Sequence, residues 1–221
     1  CLLMIAGEFD LSVGSMIGFS GMVLAIGSIH FGLPVWLSII IAFVLSVLLG
    51  AVNGFLVIKT KLPSFIVTLA FLYILRGLTI FMSITTTQKT ILSGMRPLAK
   101  DDWLAPFFGG EVLTGVFLWM GNQGWIEVFS RGKFEGQPVV SGIPMLIVWA
   151  IGLIIFGQWL LTKTKFGNWI FAAGGDEHAA AYAGIPVNRV KILMFMFTAF
   201  CACVFAMCQV KRGKTGYCCQ S

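Results

Sequence analysis

Pro34 to Ile58 reads PVWLSIIIAFVLSVLLGAVNGFLVI, an unbroken run without a charged residue. At about 1.5 Å per residue, a helix of this length exceeds the roughly 30 Å hydrocarbon core of a bilayer. Apolar residues fall on every side of its turns, so it offers no polar face to water. The run is therefore expected to be a membrane-spanning helix, a form that satisfies its own backbone hydrogen bonds in lipid.

Four further stretches meet the same test. They run near Leu11–Ile29, which is rich in Gly and Ser, near Pro63–Met82, which carries the single charge Arg76, near Ile143–Leu161 and near Ile192–Val210. Cys1–Ala6 is apolar but far too short to span, and no basic region precedes it. It fits the end of an earlier span and not a signal peptide. The expected fold class is all-α, a polytopic transmembrane helix bundle of about five complete spans plus the end of an earlier one. Residues 1–210 form this domain, and residues 211–221 form an atypical tail.

The composition supports lipid as the solvent. Of 221 residues, 58% are hydrophobic and only 11% are charged. A soluble domain is about 25% charged. This excludes an ordinary soluble enzyme and a disordered chain. The net charge of +6 is read as basic loops on one side of a membrane, with no nucleic-acid partner. Lys59 and Lys61 follow the second span, and Lys163, Lys165, Arg189 and Lys191 flank the loop 162–191. The positive-inside rule puts both loops in the cytoplasm and the segment 83–142 outside. Trp103, Trp119 and Trp125 suit the outer interface, and Val112–Met120 is apolar but too short to span.

Few residues offer chemistry. Gly7-Glu8-Phe9-Asp10-Leu11-Ser12-Val13-Gly14 places two carboxylates and a serine at the start of a span. Charges inside spans are costly, about 2.5–3.5 kcal/mol on insertion scales, and mark functional candidates. Glycines at both ends fit a broken helix whose backbone lines a cavity. Asp10 has a second reading as the cap of the following helix. Asn53, beside Gly50 and Gly54, is read chiefly as helix packing. Arg76 either lines a pathway or snorkels at the outer end of its span, with a structural role favoured. In the loop 162–191, Asp176 can cap a short helix with Glu177 in its first turn, and Gly184 followed by Pro186 stops it.

Some absences narrow the reading. Gly213-Lys214-Thr215 lacks the first glycine of a phosphate-binding loop, because Cys208 stands there. His30 and His178 have no metal-type spacing, and the six cysteines match no zinc or disulfide framework. No metal and no directly bound cofactor is expected.

Three blocks resemble a known family. Gly7-Glu8-Phe9-Asp10-Leu11-Ser12-Val13-Gly14 resembles the GGIDLSVG signature of bacterial ABC sugar permeases of the ribose and xylose type. Asn53-Gly54, then Leu62-Pro63-Ser64-Phe65-Ile66-Val67-Thr68-Leu69 and Arg76-Gly77, resembles the next block. Thr164-Lys165-Phe166-Gly167, then Phe171 to Ala180 and Gly184-Ile185, resembles the family's cytoplasmic loop, T-x-FG…YAIGGNEEAA…SGI. The departures are Glu8 for Gly, Phe9 for Ile and Asp176 for Asn.

The resemblance implies the permease subunit of a monosaccharide importer in the bacterial inner membrane. ATP would be used by a separate ABC ATPase subunit, so the chain is not expected to be an enzyme. A periplasmic sugar-binding protein and a second permease subunit, in a homodimer, are the other implied partners. Glu8, Asp10, Ser12, Asn53 and Arg76 would lie near the translocation path. Gly174, Gly175, Asp176, Glu177, Ala179, Ala180 and Gly184 would couple to the ATPase. The family's later ELDAIAA…GGTSL motif is missing, and the chain ends in KRGKTGYCCQS. The expectation is a fragment of a longer permease, cut at both ends, with a tail from a shifted reading frame. The alternative class is an ion-coupled secondary transporter or channel for a small polar solute.

Overall fold

The computed structural model describes residues 2–87, 108, 111–112 and 143–211. The three outer tryptophans, residues 113–120 of the short apolar piece and the tail 212–221 lie outside the described residues. The described chain is all-α apart from one antiparallel pair of two-residue strands, β1 (Glu111–Val112) and β2 (Ile143–Pro144). The helices are α1 (Leu2–Ile5), α2 (Val13–Ile29), α3 (Val35–Thr60), α4 (Ser64–Thr87), α5 (Met145–Lys163), α6 (Lys165–Gly175), α7 (Glu177–Tyr182) and α8 (Val187–Lys211).

Four of these helices, α3, α4, α5 and α8, are long and apolar enough to cross a membrane. Each begins immediately after a proline: Pro34, Pro63, Pro144 and Pro186. Proline suits that place because a helix start leaves its first N–H groups unpaired, and proline has none to lose. Pro34 and Pro144 hold the extended geometry that feeds a helix, with ψ of 141° and 136°. α2 is apolar but has 17 residues, and it starts after Ser12 instead.

The core sits where α8 packs against α3 and α2. α3 and α8 run antiparallel and very close. A Cβ on Gly50 would lie 2.6 Å from the Ala199 Cβ, and one on Gly54 would lie 3.0 Å from the Ile192 Cα. Small residues permit this approach, which lipid-embedded helices need because they have no hydrophobic drive to associate. α2 and α3 are also antiparallel, joined by a buried Ser20–Ser46 hydroxyl pair at 2.7 Å. α4 covers α2, contributing Phe71 and Leu75 to the same core. A second cluster joins Leu3 and Ala6 to Val57, Ile170, Val190, Met194 and Phe195. It lies at the end of the bundle that carries Lys59, Lys61 and the starts of α4 and α8, here called the basic end.

Candidate functional site

The residues Gly7 to Ser12 interrupt the helical path between α1 and α2. Gly7 adopts φ of +78°, a left-handed conformation that a side chain disfavours. Its N–H donates to the Met4 carbonyl and the Glu8 N–H donates to the Leu3 carbonyl, each at 3.1 Å. This double closure ends α1 in a Schellman motif. The chain then runs without helix to Ser12.

A non-helical backbone inside a bundle needs outside partners. α4 supplies them. The Phe9 N–H donates to Ser64 Oγ at 2.9 Å, and the Leu11 N–H donates to Thr68 Oγ1 at 3.3 Å. The Thr68 hydroxyl also contacts the Phe9 carbonyl at 3.4 Å. Sequence reading missed Ser64 and Thr68 as site residues. Their signal was their i, i+4 spacing, which puts both hydroxyls on one face of α4.

Asp10, Ser12 and Asn53 form one chain of contacts. Asp10 Oδ1 accepts from the Ser12 N–H at 2.8 Å and from the Ser12 hydroxyl at 2.6 Å. Asn53 Nδ2 donates to Ser12 Oγ at 3.2 Å. Ser12 and Asn53 are fully buried, and Asn53 Oδ1 finds no partner among the described residues. Asp10 does not cap α2 from the cap position. Ser12 occupies that position and makes no side-chain cap bond, while Asp10 folds the turn before it.

Glu8 points elsewhere. Its Oε1 lies 2.8 Å from Lys191 Nζ, and both side chains are buried. Lys191 Nζ also donates to Glu177 Oε2 at 2.8 Å, on the half-exposed α7 side. Lys191 stands in the second turn of α8, and sequence reading had counted it only as a basic loop charge. Its signal was position, because it lies inside the apolar helix Val187–Lys211 and not in the loop before it. Arg76 does not join this group. It is exposed on α4 and has no ion pair among the described residues.

The loop 162–191 folds as α6 and α7. Thr164 caps α6 by accepting from the Gly167 N–H at 3.2 Å. Asp176 caps α7 by accepting from His178 N–H at 2.9 Å and Ala179 N–H at 3.0 Å. Gly184, with φ of +82°, ends α7 by the same Schellman closure as Gly7, through Ala181 and Ala180 carbonyls. Glu177, His178, Ala179 and Tyr182 are exposed, Tyr182 by 92%. Ala180 is buried with Ala173 and Val187, so it anchors α7 to α6 and α8. Gly174 and Gly175 close α6, and a Cβ on Gly174 would overlap the Ile5 carbonyl at the end of α1.

A family model described as "Branched-chain amino acid transport system / permease component" matches residues 1–217. The chain belongs to this permease family. The permease is 32% identical over 223 residues to the xylose transport system permease protein XylH of Escherichia coli K12, covering 87% of this chain and 55% of that protein. It is 33% identical to the XylH of Haemophilus influenzae over 218 residues, covering 87% and 58%. It is 27% identical over 212 residues to the ribose import permease protein RbsC of Escherichia coli K12, covering 96% and 55%. The permease chain thus spans about half the length of the curated relatives it matches. No solved structure matches it. Family membership and four apolar helices make it a multi-pass membrane protein.

Proposed function

We propose that this permease is the membrane subunit of an ATP-driven importer that moves a monosaccharide across the bacterial inner membrane by alternating access. The observation that carries this reading is the position of α7. It is a capped, exposed helix at the same end of the bundle as the interrupted segment Gly7–Ser12, and it is tied to that segment through Lys191. A surface element joined to a buried break is what an external motor needs in order to act on a pathway.

In this reading the basic end faces the cytoplasm, following the positive-inside rule. A separate ABC ATPase subunit docks on α6 and α7, with Glu177 and Ala179 facing it and Asp176 and Gly184 fixing the ends of α7. ATP is used there and not by this chain. A periplasmic sugar-binding protein delivers the solute from outside, and a second permease copy completes the pathway. The relatives named for xylose and ribose support a monosaccharide as the solute. Asp10, Ser12 and Asn53 border the path at the interruption, where non-helical backbone is tolerated at membrane depth because a neighbouring helix satisfies it. Arg76, exposed on α4, borders the path in the same reading.

The test is uptake of labelled xylose and ribose into vesicles holding the full-length protein. Uptake that requires ATP, the ATPase subunit and the binding protein is the expected result. Uptake driven by an ion gradient without the ATPase would replace this reading with the ion-coupled class.

A further inference from the structure

Lys191 has two carboxylate partners that belong to different parts of the molecule. Glu8 opens the interrupted segment between α1 and α2, and Glu177 opens the exposed helix α7. The two ion pairs are equal in length, 2.8 Å each, but unequal in surroundings. The side chains of Lys191 and Glu8 are each 11% exposed, while that of Glu177 is 51% exposed. A buried pair is hard to break once formed, because either ion left alone is strongly destabilised. An exposed pair is weak and screened by water and salt. Lys191 is therefore fixed on the Glu8 side and free to exchange on the Glu177 side.

We infer that Lys191 is a positioning residue for transport, passing displacement of α7 to the Gly7–Ser12 segment through its shared ammonium. The inference rests on the permease reading above and deepens it by naming the residue that links the docking loop to the path. A partner seated on α7 would remove water from Glu177, strengthening that arm and drawing Lys191 between two carboxylates in low dielectric. Glu8 then follows, because leaving it unpaired inside the protein costs more than moving it. Beyond Glu8 the route is backbone. The segment is tied to α4 through Ser64 and Thr68, and to α3 through Ser12 and Asn53. One ammonium is thus linked, through Glu8 and the segment that follows it, to α4 and α3. Separately from Lys191, Gly174 at the end of α6 packs so closely on the Ile5 carbonyl of α1 that a Cβ there would overlap it.

The experiment uses the full-length permease reconstituted with its ATPase subunit and binding protein, and reads three quantities together. These are ATPase co-purification, ATP hydrolysis and sugar uptake. The main variant is E8Q/K191M, which removes both buried charges and leaves neither unpaired. It is expected to bind the ATPase as the wild type does, to hydrolyse ATP, and to lose about tenfold in uptake per ATP, within the usual range of coupling between sites. K191R keeps the charge and is expected to keep uptake per ATP. E177Q alone lowers that ratio, and adding it to E8Q/K191M lowers it no further.

Wild-type uptake per ATP in E8Q/K191M would overturn the inference. So would a parallel fall of co-purification, hydrolysis and uptake in both E8Q/K191M and K191R, which would make Lys191 purely structural. If the wild-type assembly itself shows no ATP-dependent sugar uptake, the permease reading has failed first, and the two failures are told apart.

Discussion

α5 and α8 are nearly equal in mean hydropathy, 2.1 and 2.2 over their most apolar stretches, yet they lead different lives. In α8, 56% of that stretch is buried against the rest of the chain, and in α5 only 6%. α8 turns inward both small residues, Ala199, Ala202, Cys203 and Ala206, and large ones, Met194, Phe195 and Met207, whereas α5 presents Ile147, Ile151, Ile154, Ile155 and Trp159 outward. Lipid is as apolar as leucine, so apolarity alone does not separate the two helices, and the glycines Gly50 and Gly54 are what let α3 come this close to α8.

The same chemical change should therefore have opposite weights on the two sides. Gly50→Ala puts a methyl 2.6 Å from the Ala199 Cβ and 2.9 Å from the Phe195 carbonyl, which must force α3 from α8. We expect a loss of about 3 kcal/mol, the upper range for overpacking, read as a lower melting temperature in detergent. Thr68→Val, also on the packed side, removes the hydroxyl that receives the Leu11 N–H. An unsatisfied amide there costs about 1–2 kcal/mol, and faster hydrogen exchange at Leu11 is the specific readout. Asp176→Ala removes two bonds from α7 and should cost about 1 kcal/mol, seen as fraying of α7 with the spans intact. Gly152→Ala, on α5, meets nothing within 4 Å and should not destabilise; helix propensity alone makes it more stable, by up to about 1 kcal/mol. A large effect at Gly152 would break the comparison, since α5 would then have a tight neighbour.

What the sequence disclosed follows the same line. The helices were legible because apolar runs bounded by proline and glycine are local signals. The loop 162–191 was legible in detail, since Asp176 and Gly184 act within a few residues of themselves. Glu8 and Glu177 were both singled out from sequence, but not their connection. Lys191 joins them only because α8 returns to the start of the chain, a fact of tertiary packing. Asp10 reads as a helix cap in sequence because a cap and a preceding turn use the same residue types at adjacent positions. The support from Ser64 and Thr68 was hidden for the opposite reason. Hydroxyls in a membrane helix ordinarily bond their own preceding turn, as Thr79 does to the Leu75 carbonyl.

That last contrast bears on how fast the interruption can rearrange. The amides of Phe9 and Leu11 are held by two side chains and not by a main-chain ladder. A hydroxyl releases its partner by a single turn about χ1, and the Thr68 hydroxyl already donates to the Phe65 carbonyl of its own helix at 3.3 Å. Freeing an equal length of helix would require several main-chain bonds to break together. The break in the fold is thus latched by rotors, and it can be unlatched and reset without melting any of the helices around it.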